Sequence, residues 1–301
     1  MSHDDSERRL RPYVARTLAQ LRPQADRIVV ISRTGAEPDD LDQLPSGVEF
    51  EHRLGPGHRF ANYQAGLDLV REYTDFDEIV LVDDSVVGPS IPLAEILHTR
   101  RTRGYEAIGM TEAFTPRRHP QPYFIAFKNP VVRSVAFRRF WLEFDPSEDG
   151  PRSAQPAARL QDALGHAGFR VGPYFHPKEA DLVRAERRLA WARSLTTPSE
   201  LVELPDAPVP DIESADSGVL YADEFVSSDR LPLLRVDAVA TDPYGLGGTQ
   251  LFSQASLAHP ELFESLDASF DLPTRRRERV RAVHAPELLA DGVGYCASVP
   301  R

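Results

Sequence analysis

Residues Glu78-Ile79-Val80-Leu81-Val82-Asp83-Asp84-Ser85-Val86-Val87-Gly88-Pro89 run an apolar segment of strand length directly into two adjacent carboxylates. Continuous rather than alternating apolarity predicts a strand buried on both faces, as in a parallel sheet covered by helices. Ligands of such sheets bind in the crevice beyond the carboxyl ends of the strands, which is where Asp83 and Asp84 fall. Two neighbouring carboxylates repel each other, and a divalent cation or a shared proton relieves that repulsion. The chemistry predicted for this pair is therefore metal-assisted binding of a phosphate-bearing substrate. The same Asp-Ser-x-x-Gly-Pro pattern also serves as ordinary turn chemistry, and its position at a strand end favours the functional reading.

Three further constellations carry reactive side chains. Arg53-Leu54-Gly55-Pro56-Gly57-His58-Arg59-Phe60 is a glycine-rich turn ahead of a helical pattern. Glycines let a backbone approach a ligand closely, and a helix amino terminus with Arg59 nearby suits a phosphate. A plain strand-to-helix connection with solvated arginines has the same pattern. In His119-Pro120-Gln121-Pro122-Tyr123-Phe124, three hydrogen-bonding side chains approach a strand and suit sugar hydroxyls, with an aromatic ring for an apolar sugar face. A solvated loop histidine and a core tyrosine are the bland alternative. Gly109-Met110-Thr111-Glu112 ends another strand in a carboxylate, which suits a general base or a solvated loop acid.

These segments need elements to hold them. Leu10, Val14, Leu18 and Leu21 recur at helical spacing, and Arg27 to Ser32 and Val48 to Arg53 read as strands. Tyr63, Leu67 and Val70 mark a helix, as do Leu93, Ile96 and Leu97, and Phe137, Phe140 and Trp141 mark another. Strands follow at 107–111 and 123–127, then helices over 157–167 and 180–195. The alternation predicts an α/β domain, a Rossmann-type sheet flanked by helices, over residues 1–196. Residues 197–230, acidic and proline-rich, read as a linker or wrapping loop, and 231–301 as a C-terminal extension packed on the domain.

Composition narrows the function classes. The chain has 301 residues, 41% of them hydrophobic, and a formal net charge of -11, which argues against a general nucleic-acid partner. A single cysteine, Cys296, excludes an intramolecular disulfide framework and a cysteine-based zinc site. No apolar run reaches membrane-spanning length and the first residues are charged, so a cytoplasmic location is expected. Arginine clusters at Arg8, Arg9, Arg11 and Arg16, and from Arg275 to Arg281, read as solvated faces. A peripheral contact with an anionic bilayer, at the inner face of the membrane, is the other reading of them.

Taken in order, the motifs resemble the rhamnan synthesis protein F family of GT-A-type glycosyltransferase-like proteins. The resemblance runs from about Tyr13 to Gly172 and includes Arg53…Gly57…Phe60 and Asp83-Asp84-Ser85…Gly88-Pro89. It continues through Gly109-Met110-Thr111, His119-x-Gln121-x-Tyr123-Phe124, Phe137…Phe140-Trp141 and Gly168-Phe169. A weaker echo lies at Leu231 to Val236. The family usually shows Asn-Asp-Ser where this chain has Asp83-Asp84-Ser85. It also carries an Asn and an Asp where this chain has Gly55 and Arg59, and often a Glu near Ala157.

The resemblance implies transfer of a sugar, often rhamnose, from a nucleotide-sugar donor to a cell-surface polysaccharide or a lipid-linked glycan. It implies an inverting displacement assisted by Mg or Mn held by Asp84 with Asp83. Arg59, Ser85, His119, Gln121 and Tyr123 would bind donor or substrate, and Glu112 would be the base, with Glu148 or Asp149 as the fallback. His3-Asp4-Asp5 reads as the end of a first strand whose apolar residues are missing. A catalytically silent module of the same fold, binding glycan or a partner enzyme, is the alternative.

Overall fold

A computed structural model describes residues 1–55, 59–148, 154–194, 209–263 and 266. The chain divides into two compact units, Met1–Tyr174 and Phe175–Arg301.

The first unit is built on parallel strands. β1 (Ser2–His3), β2 (Ile28–Ser32) and β3 (Val48–His52) form one parallel set in the order β1-β2-β3. After β4 (Glu78–Val82) and the short β5 (Val86–Val87) come β6 (Ala107–Gly109), β7 (Glu112–Ala113), β8 (His119–Pro120), β9 (Phe124–Lys128) and β10 (Val171–Pro173). The second set has the order β10-β6-β9-β4, with β10 parallel to β6 and β9 antiparallel to both of its neighbours. A parallel bridge from Ser2 to Asp83 joins the sets, and the Asp84 N–H donates to the Ser2 carbonyl at 3.0 Å. The strands thus run in the order β3-β2-β1-β4-β9-β6-β10, and all but β9 share one direction. The carboxyl ends of β1, β2, β4 and β6 consequently lie along one edge.

Two expectations change here. The first strand is not missing: β1 is present as two residues and stitches the sheet together. Its residues are polar, but they are buried with partners, which removes the usual cost of burial. Asn62 Nδ2 donates to Ser2 Oγ at 3.0 Å, and His3 Nδ1 lies 2.9 Å from Ser32 Oγ. The sheet is also mixed rather than parallel throughout. The connection from β6 to β9 holds only the small β7–β8 hairpin and no crossover helix, so β9 returns antiparallel.

The helices of this unit are α1 (Pro12–Leu21), α2 (Pro38–Leu41), α3 (Arg59–Leu69), α4 (Leu93–Arg103), α5 (Asn129–Val132), α6 (Val135–Glu143) and α7 (Ala154–His166). α6 shows why the sequence pattern works. Ser134 caps it by accepting the Phe137 N–H at 3.1 Å, and Phe137, Phe140 and Trp141 point one way. They meet Phe60, Leu81, Phe127 and Leu160 in one apolar cluster, with Phe60 stacked on Trp141 at 5.6 Å. This cluster anchors the start of α3, and therefore Arg59.

The second unit opens with α8 (Glu179–Ser194), which sequence reading had grouped with the first domain, and continues with α9 (Ser217–Leu220), α10 (Glu224–Ser227), α11 (Val236–Ala240), α12 (Gly248–Ala258) and α13 (Pro260–Phe263). Part of the stretch read as a linker is packed here: Val219, Leu220, Tyr221 and Phe225 are buried. Two of its acids, Asp223 and Glu224, are buried and paired, and Arg188 grips Asp223 bidentately at 2.8 and 2.7 Å. Arg184 and Arg230 both pair with Asp181 and Glu224. The clusters at 197–208 and 275–281, and Cys296, lie outside the described residues.

Candidate active site

The strand-end carboxylates sit where β4 meets β1. Asp83 is held on three sides. Its N–H donates to the Tyr123 carbonyl at 3.1 Å, and its Oδ1 accepts the Ser85 N–H at 3.0 Å together with the Ser85 hydroxyl. Its Oδ2 lies 2.9 Å from the Arg59 guanidinium. At 2% exposure Asp83 is a buried, paired carboxylate. Arg59 is the first residue of α3, and Asn62, three residues on, ties that helix to β1 through Ser2 and the His3 carbonyl.

Asp84 is the contrasting partner. Its side chain keeps one-fifth of its surface exposed, and Oδ2 accepts the Asp4 N–H at 2.8 Å. No arginine pairs with it among the described residues. Burial, and then the neighbouring Asp83 charge, push its carboxyl up to about 7, with Asp4 adding to the rise. The Asp4 N–H and Arg59 oppose it. The folded chain therefore binds this proton more tightly than the unfolded chain, whose carboxyl titrates near 3.8. That contribution to stability is present at low pH, falls away from about pH 4 to about pH 7, and is gone above it. Asp84→Asn is accordingly expected to unfold at higher denaturant than wild type at pH 8, by a few kcal/mol at most. At pH 4 the two should coincide, and urea titrations at both pH values read the difference.

The sequence marks His3-Asp4-Asp5 as a strand end but does not show which site residues these side chains meet. Asp4 faces Asp84 and accepts from Arg33 at 2.7 Å, so carboxylates and guanidiniums alternate across the β1–β4 junction. His3 is fully buried beneath them. Its Nε2 lies 3.0 Å from the Arg9 carbonyl, which can only accept, so Nε2 carries the proton and Nδ1 accepts from Ser32. Burial pushes its pKa down, and at 4.0 Å from Asp84 it is a neutral neighbour, not an ion-pair partner. The signal for these residues was the Asp4-Asp5 pair. The partners of that pair follow from the pairing of β1 with β2 and its bridge to Asp83.

The second group predicted from sequence lies one strand further along the same edge. Thr111, at the end of β6, hydrogen-bonds Gln121 and Tyr123, the latter at 2.7 Å. All three are buried, Tyr123 completely, so this trio braces the β6–β9 junction and offers a ligand little surface. Gly109 allows the β8 crossing, since a Cβ there would stand 2.4 Å from the Pro120 Cβ. His119 is 1% exposed. Its Nδ1 donates to the Arg117 carbonyl at 2.6 Å, which leaves Nε2 unprotonated, buried and without a hydrogen-bond partner. Burial lowers its pKa, so the ring is neutral. Glu112, on β7, pairs with Arg118 at 2.8 Å. Of the fallback acids, Glu148 ends a 3-10 turn and Asp149 lies outside the described residues, as do Pro56, Gly57 and His58 of the glycine-rich turn.

Among the described residues no three His, Cys, Asp or Glu side chains form a metal-binding group. Magnesium, however, is commonly held by one or two carboxylates plus substrate phosphates rather than by an all-protein cage. Asp84 fits that smaller requirement, being partly exposed and in no ion pair with an arginine among the described residues, whereas Asp83 is committed to Arg59 and Ser85.

Fold and site together define an α/β protein with charged side chains gathered at the carboxyl ends of its strands. The chain matches the family model "Rhamnan synthesis protein F" over residues 28–197, more than half its length, and it belongs to that family. The family places it in rhamnan synthesis, a branch of polysaccharide biosynthesis. No curated protein matches. Among solved structures the chain is similar to A197 from STIV, at 12% identity and a TM-score of 0.30, covering 56% of this chain and 78% of that one. No helix among the described residues is long and apolar enough to cross a membrane.

Proposed function

We propose that the chain is a GT-A-type glycosyltransferase that moves a sugar, rhamnose or a related hexose, from a nucleotide-sugar donor to a polysaccharide or lipid-linked glycan. In this reading it works on the cytoplasmic side of the membrane. The observation that supports it best is the pairing of a committed and an uncommitted carboxylate, Asp83 and Asp84, at the β1–β4 strand ends. Arg59 stands at the head of α3 beside them. Asp84 would hold a Mg or Mn ion, which when bound supplies positive charge against the leaving nucleoside diphosphate. Arg59, fixed on Asp83, presents its remaining N–H donors to phosphate, and Ser85 keeps Asp83 in place.

Glu112 is the carboxylate assigned to deprotonate the acceptor hydroxyl for a single inverting displacement. It must first be released from Arg118, whose side chain is 63% exposed. Gln121 and Tyr123 brace the β6–β9 junction beside it, and His119 Nε2 is a buried acceptor there without a hydrogen-bond partner. Arg59→Gln is expected to weaken donor affinity about tenfold or more, the loss of one charge-assisted contact, as read by the KM of donor hydrolysis. Wild-type KM in that variant would remove Arg59 from the donor site.

A second reading, a catalytically silent module that binds glycan or a partner enzyme, is favoured by one observation. Both Asp83 and Glu112 are already neutralised by arginines. Donor hydrolysis by the wild-type protein separates the two readings.

A further inference from the structure

We propose that the outer face of α6 docks the first unit onto an anionic lipid surface. This goes beyond the transfer reaction and does not depend on it. α6 buries Phe137, Phe140 and Trp141 and turns its opposite side to solvent. On that side Val135 is 71% and Leu142 85% exposed, among the most exposed large hydrophobics of the described residues. Seven residues apart, they stand on one line along the helix, two turns from each other. Arg138 flanks that line on one side and Arg139 on the other, both exposed, and Arg133 is exposed just ahead of the helix.

Glu143 on this face is paired with Arg139 at 2.7 Å; beyond the helix end Asp145 holds Ser147 and Glu148 follows in the chain, and Asp68 shares Tyr73 as a neighbour with Arg138. Residues 133–143 therefore present three arginines against one glutamate, in a chain whose net charge is -11. The early arginine cluster does not compete for this role, because Arg8, Arg9 and Arg11 face Glu37, Asp40 and Asp5.

The chemistry of the occupant follows from the pattern. Two isolated aliphatic tips on a helix about 14 Å long cannot supply the apolar centre of a stable protein interface, which buries about 1,200 Å² or more in total. A bilayer accepts such tips singly in its interfacial zone, while flanking arginines lie along them and reach anionic headgroups. Aliphatic side chains bracketed by guanidiniums, with the aromatic face turned inward, match that surface.

Co-sedimentation of the full-length protein with vesicles tests this. Wild type is expected to bind vesicles rich in phosphatidylglycerol, to bind phosphatidylcholine vesicles weakly, and to release as salt rises. Arg138→Gln with Arg139→Gln should reduce partitioning about 30-fold, the effect of two basic residues at an anionic surface. Val135→Ser with Leu142→Ser should also reduce it. All four positions are exposed, so unchanged melting curves confirm that the variants fold. The proposal is overturned if wild type ignores anionic vesicles, or if either double variant binds as wild type does. It is also overturned if sedimentation velocity shows a wild-type dimer that these substitutions dissolve, which would assign the face to a second copy.

Discussion

Asp84→Asn is expected to reduce donor turnover about a thousandfold while the protein folds normally and gains stability at alkaline pH. The substitution keeps the shape of the side chain and its contact with the Asp4 N–H, and removes only the charge. Two consequences of that one charge point in opposite directions. In the ligand-free chain it is a liability, because burial and Asp83 both disfavour it. In the proposed reaction the same charge would anchor a cation and, through it, a diphosphate. A variant that is more stable and inactive is the signature of a residue kept for function at a cost to the fold. Turnover of nucleotide sugars by the purified variant, with unfolding curves at pH 8, measures both arms. Unchanged turnover would remove Asp84 from the chemistry.

The second large effect is structural. Arg188→Met is expected to destabilise the second unit by about 3–5 kcal/mol, because Asp223 would be left buried without its bidentate partner. Arg188 is wholly shielded from solvent and also donates to the Leu220 carbonyl at 2.7 Å. Arg184, another cation near Asp223, sits 3.6 Å away and already serves Asp181 and Glu224. Adding Asp223→Leu to Arg188→Met should recover much of the loss, since removing both charges is far less costly than stranding one. Urea unfolding of wild type, the single variant and the double variant reads the comparison. A single variant within 1 kcal/mol of wild type would show that the pair contributes little.

These residues also show what the sequence could and could not reveal. β4 was legible because five apolar residues end in Asp83-Asp84 and a Ser-Gly-Pro turn. α6 was legible because Phe137, Phe140 and Trp141 keep helical spacing. Helices over 157–167 and 180–195 fell within a few residues of α7 and α8. β1 was legible only as a strand end at His3-Asp4-Asp5, since Ser2 and His3 carry no apolar signal and are held in the sheet by partners from β2 and α3. The Arg188–Asp223 pair spans 35 residues, and no local pattern reports such a meeting. Its absence from view is why residues around Asp223 read as an acidic linker.

The site was legible in kind more than in role. Asp83, Asp84, Ser85 and Arg59 do converge, but Arg59 meets Asp83 rather than solvent. Residue types alone do not say which of two carboxylates an arginine will claim. Gln121 and Tyr123 were correctly placed at a strand end, yet their burial with Thr111 makes them braces. Burial of a hydrogen-bonding side chain depends on what packs over it, here the β7–β8 hairpin seated on Gly109.

Calorimetric titration of nucleoside diphosphates into the wild-type protein, with and without Mn²⁺, tests the central claim most directly. A nucleotide-sugar transferase with its site at Asp83 and Asp84 should bind one nucleoside diphosphate in the presence of the ion. That binding should weaken at least tenfold when the ion is withheld or when Asp84 is asparagine. Wild-type protein that takes up no nucleoside diphosphate under either condition would contradict the account and leave the silent glycan- or partner-binding module in its place.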